Sequence, residues 1–530
     1  MPFKATYLPY RQTKSFSAIA LDYIDNNDSL KPFYEHAADL EGIKKAIEQR
    51  KLFPTDRKLL VDHLNEQYKG MGPDEKLQAN IESLLLPNTF TITTAHQPNI
   101  FTGHLYFIYK ILHAIKLADQ FTQQIPGNNF VPVYYMGSED ADLEELGEVF
   151  INGQHYRWET NQTGAVGRMK IDKEFIRLID MFEGQLLVEA HGKEIMELVK
   201  LIYTLNKTVE QATFEFVHEL FKSYGLIVLL PDAAALKRSF LPIIKKELNE
   251  QFSNTAVEES MKDFPAQYKV QAAGREINLF WLEEGSRERI EKEGSAFRVG
   301  ASKWESNEFI KKAEEQPEAL SPNVILRPVF QEWILPNIAF IGGGGELAYW
   351  LELKKVFAAA ATPYPVLILR NSFSIIHKKA AAKIAHLNMT ADDFFQPAAS
   401  LLERVVQQNS KNQLSLAEEK NQLEQLYQKI QSIAGKADPS LQQHADALHT
   451  LAHKKITQLE KKIYRAEKIK FEAQQRQIEK IKNLLYPDGT LQERIDNLLP
   501  WYSIYGKDFI DLLYKNSLGL EQEFCLLEEF

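Results

Sequence analysis

The sequence predicts an α/β protein built on a doubly wound parallel sheet, with insertions, followed by an α-helical antiparallel coiled coil. Two observations predict this. Short apolar runs at residues 91–94, 130–138, 224–231, 338–341 and 364–369 alternate with helical patterns, the signature of parallel strands joined by crossover helices. From about residue 380 onward no strand-like run follows, and leucines and isoleucines fall at three- and four-residue spacing instead. At 530 residues the chain exceeds what one hydrophobic core usually serves. The expected division is a core over 1–385, interrupted at about 150–320, and a helical domain over 386–530.

Residues 1 to about 90 read as helices with interleaved charge, as in DLEGIKKAIEQRK, packed on the sheet. The organising stretch is 91–119. It comprises a β-branched strand at 91–94, a polar turn at 95–101 carrying His96, Gln97, Pro98 and Asn99, and a long amphipathic helix. Thr102 is the expected N-cap, with Gly103 and His104 at the helix start, and Leu105, Ile108, Leu112 and Ile115 mark the buried face. In a parallel sheet such a loop lies at the carboxyl end of its strand, where free N–H groups and the helix dipole favour phosphate or carboxylate.

The run at 130–138 ends in Glu139, Asp140, Asp142, Glu144 and Glu145. Carboxylates there can bind a substrate amine, hold Mg²⁺ or act as a base, and acidic residues are also favoured at any helix start. Short strands and helices from 149 to 300 interrupt the progression, with strands expected at 274–284 and 294–300. The sheet pattern resumes with apolar runs at 324–330 and 338–341, the second leading into Gly342, Gly343, Gly344, Gly345 and Glu346. Four glycines between strand and helix permit a close backbone approach to a ribose or phosphate. The loop lacks the Lys-Ser/Thr of a Walker A motif and the GxGxxG spacing. A last strand at 364–369 leads into a loop expected over Arg370, Asn371, Ser372, Phe373 and Ser374.

Leu416, Leu423, Leu426, Ile430 and Ile433 take heptad a and d positions, with a charged lapse at Glu419. Gly435 is expected to stop that helix, and Asp438 and Pro439 to start a second that runs to about Leu485, with Ile456, Leu459, Ile463 and Ala466 at its seam. Such a hairpin suits homodimerisation. Two aromatic-rich short helices follow Pro487, Asp488 and Gly489.

Net charge is −10, without a basic run beyond short Lys-Lys pairs, so a nucleic-acid partner is not expected. The absence of a long apolar run and of a signal-like N-terminus predicts a cytoplasmic protein with no membrane partner. The single cysteine, Cys525, excludes an intramolecular disulfide and a cysteine metal cluster.

Phe101, Thr102, Gly103 and His104 resemble the second half of the HIGH signature of class I aminoacyl-tRNA synthetases. The glycine loop takes the place of their ribose-binding loop, and R-N-S-F-S at 370–374 loosely resembles their KMSKS loop. A closer resemblance covers essentially the whole chain. The stretches TAHQPNIFTGHLYFIYKILHAIKLA, VPVYYMGSEDADLEEL, GAVGRM, REINLFWLEEGSRERI, SPNVILRPVFQEWILPNIAFIGGGGELAYW and YPDGTLQERIDNLLPWYSIYG look like the bacillithiol cysteine ligases, the BshC family. Relatives commonly have Gly-Gln-Gln in place of Ala95, His96 and Gln97, Pro in place of His104, and many have Pro in place of Gly344.

That resemblance implies a Rossmann-like core with connecting-peptide insertions and a dimerising coiled coil. It also implies ligation of L-cysteine to the amine of glucosaminyl-malate, with ATP activating the carboxylate as a cysteinyl-adenylate. On this expectation His96, Thr102 and His104 stabilise charge on the α-phosphate. Gly103, Gly342, Gly343, Gly344, Gly345 and Glu346, with Ser372 and Ser374, bind the nucleotide. Glu139 or Asp140 holds an ammonium, and Gln97, Asn99, Arg327 and Arg370 contact substrate, Arg327 or Arg370 taking the malate carboxylates. No metal ligand set is predicted, although Mg²⁺ can accompany ATP. A nucleotide-binding scaffold working through its coiled coil is the alternative from another class.

Overall fold

The computed structural model describes residues 2–72, 74–272 and 274–530. These fall into two compact units. One comprises Ala5–Ser374 with Thr490–Cys525, and the other Ile375–Gly489 with Pro2–Lys4 and Leu526–Phe530.

The first unit is organised on five parallel strands: β1 (Thr89–His96), β2 (Asn129–Met136), β3 (Ile227–Leu229), β4 (Asn337–Gly342) and β5 (Val366–Leu369). Their order is β5-β4-β1-β2-β3, all neighbours parallel. The chain builds outward from β1 on one side, then returns to build outward on the other, so the order reverses between β1 and β4. In open α/β sheets, ligands bind at the carboxyl ends of the strands beside such a reversal. Helix α1 (Leu105–Gln124) covers one face, Ala114, Leu117 and Phe121 packing with Phe90, Ile92, Phe130, Ile341 and Ile368. Helix α2 (Gly344–Glu352) leaves β4 directly.

All of β1 is buried although half of it is threonine, so its hydroxyls need internal partners. Thr91 and Thr93 donate to Asn337 Oδ1 at 3.2 and 2.8 Å, and Asn337 Nδ2 donates to Glu332 Oε1 at 2.7 Å. Glu332 in turn pairs with the buried Arg50 at 2.7 Å.

The insertion between β3 and β4 carries a five-stranded antiparallel sheet that includes the expected strands, at Leu279–Glu283 and Ala296–Val299. Five local expectations are corrected. Residues 324–330 are not a strand: Leu326–Ile334 is a helix, started by Asn323, whose Oδ1 accepts the N–H of Ile325 at 2.9 Å. Phe3–Pro9 is a strand within the stretch expected to be helical, and Glu523–Glu529 is a strand near the C-terminus. The expected loop at 370–374 ends in a buried strand, Ser372–Ile376. Thr102 does not cap α1, which begins at Leu105 with His104 as N-cap. Phe101, Thr102 and Gly103 have φ of 50°, 72° and 61°.

In the second unit, α3 (Ala417–Ala437) and α4 (Pro439–Ile469) form the expected antiparallel hairpin. Gly435 does not end α3; the break is at Asp438, whose side chain accepts the Ser440 N–H at 2.7 Å. The second helix stops at Ile469, and Glu472–Leu485 is a separate helix. The seam also departs from the heptad reading. Lys420 pairs with Glu460, and the Tyr427 ring lies 5.2 Å from that of His449, while Leu426, Ile430 and Ile433 are 53%, 39% and 71% exposed.

Asn337→Leu removes the acceptor of the buried Thr91 and Thr93 hydroxyls, which keep only each other at 3.4 Å, and leaves Glu332 Oε1 with Gln331 alone. The expected outcome in urea unfolding is a loss of about 2–4 kcal/mol, against a few tenths for an exposed control such as Gln425→Ala.

Candidate active site at the sheet reversal

A cavity of about 680 Å³ opens at the carboxyl ends of β1, β2 and β4. Its wall takes His96 at the end of β1 and Gln97 after it, Glu139 and Asp140 after β2, and Gly343, Gly344, Gly345 and Glu346 after β4, with Arg327 and Arg370 alongside. The predicted connectors therefore meet along one rim. Asn99, Thr102, Gly103, His104, Gly342, Ser372 and Ser374 do not line the cavity. The reasons are local. Gly342 is the last residue of β4, and its carbonyl accepts the Arg370 N–H at 2.9 Å. Ser372 and Ser374 are buried in a strand. His104 Nδ1 faces the carbonyl of Ile495 at 3.2 Å, and the Thr102 hydroxyl is buried without a hydrogen-bond partner among the described residues.

Lys110, missed from sequence, ties the rim together. Its buried ammonium donates to the Ala95 carbonyl at 2.9 Å and pairs with Glu346, which accepts the Gly343 N–H at 2.8 Å. Burial raises the carboxyl pKa of Glu346, but Lys110 outweighs it and holds the group below the usual carboxylate value. The signal was available, because Lys110 is the one lysine on the buried face of α1, between Tyr109 and Ile111.

His96 Nδ1 lies 2.9 Å from the Gln97 carbonyl and Nε2 3.2 Å from the Tyr106 hydroxyl. A carbonyl only accepts, so Nδ1 carries the proton and Nε2 accepts from Tyr106. Burial first, then the charge of Lys110, push the His96 pKa down to about 3. The ring is neutral with both nitrogens engaged, so it orients Tyr106 rather than offering an N–H to a phosphate.

The acids divide unequally. Glu139 pairs with Lys237 and accepts from Ser321 Oγ at 3.2 Å, and burial raises its pKa despite that partner. Lys237 also holds Asp232 at 2.6 Å. Asp140 is the freer carboxylate, accepting from Gln97 Nε2 at 3.1 Å with Arg287 at 3.7 Å.

Five arginines line the cavity: Arg275, Arg287, Arg327, Arg370 and Arg494. Arg370 is matched by Glu493, at 2.6 Å. Arg327 has no carboxylate within ion-pair distance among the described residues. It donates to the Tyr349 hydroxyl at 3.0 Å and to Gln331 at 3.2 Å, with its guanidinium 5.6 Å from the centre of the Tyr135 ring. Arg275 and Arg494 likewise have no ion pair among the described residues. Lys237, Arg275, Arg287 and Arg494 were not predicted because they come from an insertion or a distant segment, whereas Tyr106 and Tyr349 were missed although they sit on α1 and α2 beside the predicted loops.

The backbone can accommodate a phosphate-bearing group. The N–H groups of Gly344 and Gly345 open the first turn of α2, where no intrahelical acceptor exists, and a Cβ on Gly345 would meet open space. Among the described residues no group of three His, Cys, Asp or Glu side chains is arranged to hold a metal ion.

With this geometry in place, comparison with known proteins assigns the family. Residues 3–371 match the model for the bacillithiol biosynthesis BshC N-terminal Rossmann-like domain, and residues 373–529 that for the BshC C-terminal coiled-coil domain. The chain belongs to the BshC family. A relative from Flavobacterium johnsoniae, named "Putative cysteine ligase BshC", is 35% identical over 98% of this chain and 99% of its own length. BshC relatives bearing the same name in Flavobacterium psychrophilum and Cytophaga hutchinsonii are 36% and 35% identical, over 98% and 97% of this chain and 99% and 97% of their own lengths. The Rossmann-like core and the coiled coil of the BshC family are thus the two architectures found here.

The pKa of His96 is about 3 in the folded chain against 6.5 for a free imidazole, so the unfolded state binds the extra proton and stability falls as pH drops below 6.5. Between pH 7 and 4 the native protein should lose about 3 kcal/mol more than His96→Gln, measured by urea unfolding at each pH.

Proposed function

We propose that this chain is the cysteine ligase of bacillithiol biosynthesis, joining L-cysteine to the amine of glucosaminyl-malate in the switch-point cavity. The observation that carries the reading is a surplus of cations at one place on an acidic protein. Among the described residues Arg275, Arg327 and Arg494 have no ion pair, beside an open glycine turn in a chain of net charge −10. A dicarboxylate and a polyphosphate are the anions such a wall suits, arginine offering paired N–H donors to either.

Forming the amide requires an activated carboxylate; ATP would supply that activation, and the N–H groups of Gly344 and Gly345 would hold its phosphates. The chain's own residues bind and orient. Arg327, held by Tyr349 and stacked near Tyr135, takes a malate carboxylate. Asp140, exposed at the cavity, receives an ammonium and can accept its proton before the amine attacks. The Tyr106 hydroxyl, donating to His96, is kept in a fixed direction. Mg²⁺ would enter with the nucleotide, since no protein cage for it exists among the described residues.

In the second unit, exposed Leu426, Ile433, Leu448, Leu451 and Leu459 give α3 and α4 an apolar surface that the hairpin does not cover. On this reading it forms a homodimer. Leu451→Glu should then yield a monomer in light scattering, the native chain a dimer.

The activity is tested with purified protein, L-cysteine, glucosaminyl-malate and ATP, following bacillithiol by mass spectrometry. Product that requires all three is expected, and Arg327→Gln should lower kcat/KM at least tenfold, equivalent to about 1.4 kcal/mol. Nucleotide binding without cysteine-dependent turnover would instead support a scaffold.

A further inference from the structure

The segment after the coiled coil returns to the first unit and grips the loop after β1 and the connector after β5. Leu105, the first residue of α1, donates its N–H to the Asp496 carbonyl at 2.8 Å. Asn497 Nδ2 donates to the carbonyls of Phe101 and Gly103 at 2.9 and 2.6 Å, and so holds the run of positive φ in place. Glu493, fully buried, receives Arg370 Nη2 at 2.6 Å and Nη1 at 3.0 Å, and the Phe373 N–H at 3.3 Å. Arg370 is thereby clamped with its Nε toward the glycine loop, where a Cβ on Gly343 would lie 3.6 Å away. The guanidinium also sits 5.0 Å from the centre of the Tyr106 ring. The next residue, Arg494, reaches the same cavity and has no ion pair among the described residues.

We propose that this return segment is a working part of the site: Glu493 is a positioning residue for Arg370, and Arg494 binds an anionic group of the substrate, carboxylate or phosphate. The inference rests on the ligase reading for the identity of the substrates, but not for the existence of the anion site. The division of labour follows from the charges. Glu493 neutralises Arg370, which can then direct an N–H without adding net charge, while Arg494 supplies the uncompensated cation. A segment far from the sheet in sequence thus supplies two neighbouring residues with different tasks.

The experiment measures equilibrium binding of L-malate and, separately, of ATP to the full-length protein by calorimetry. The proteins are native, Arg494→Gln, Glu493→Gln and Glu493→Asp, each with its thermal midpoint. The native chain should bind at least one of the two probes. Arg494→Gln should weaken binding of that probe tenfold or more with an unchanged midpoint. Loss toward malate alone assigns a carboxylate, and loss toward ATP alone a phosphate. Glu493→Gln should weaken the same probe, with part of the affinity restored in Glu493→Asp. Should Glu493→Gln fail to fold, Arg494→Gln decides, because that side chain is exposed to the cavity. Native affinity for both probes in Arg494→Gln, or no binding of either probe by the native chain, overturns the proposal. Normal binding without ligation would instead overturn only the ligase reading.

Discussion

One buried ammonium holds the centre of this structure. Lys110 reaches from α1 to the Ala95 carbonyl at the end of β1 and to Glu346 in the first turn of α2, and Glu346 holds the Gly343 N–H. These are the ends of the two strands between which the sheet order reverses. A buried ion pair contributes little net stability over an apolar replacement, but removing one partner leaves the other charge stranded. The pair therefore acts as a constraint on geometry. It fixes the spacing between the loop after β1 and the glycine turn after β4, and its charge helps keep His96 neutral.

The same logic orders the cavity wall. Lys110 with Glu346, Lys237 with Glu139 and Arg370 with Glu493 are matched within the protein, so each sets direction without adding net charge. Arg275, Arg327 and Arg494 have no ion pair among the described residues, and Asp140 is freer than Glu139. An acidic protein thus presents a local cationic wall at one place, where low dielectric strengthens its hold on an anion.

What could be read from sequence was what local periodicity and turn chemistry encode. The β-branched run of β1, the apolar run of β2 and the glycines after Ile341 were visible because strand and loop signals are short-range, and they place His96, Asp140 and Gly343–Gly345 on one rim. Residues 324–330 misled because an apolar run of that length suits a buried strand or a buried helix, and Asn323 decides between them only through its cap. Thr102 misled because the first N–H of α1 is satisfied by Asp496, which no local rule can anticipate. The coiled-coil seam shifted after Leu423 because polar contacts, Lys420 with Glu460 and Gln431 with Asp446, set the facing side where leucine spacing suggested another. Glu493 and Arg494 were unreadable for the same reason as Asp496: their role exists only once the chain has returned to the sheet.

The most direct test is a crystal structure of the protein with glucosaminyl-malate bound. The account predicts the malate carboxylates within hydrogen-bond distance of the unpaired arginines of the switch-point cavity, Arg327 foremost, with the sugar amine toward Asp140. Glucosaminyl-malate ordered elsewhere on the chain, with water alone between His96 and Gly343–Gly345, would contradict it.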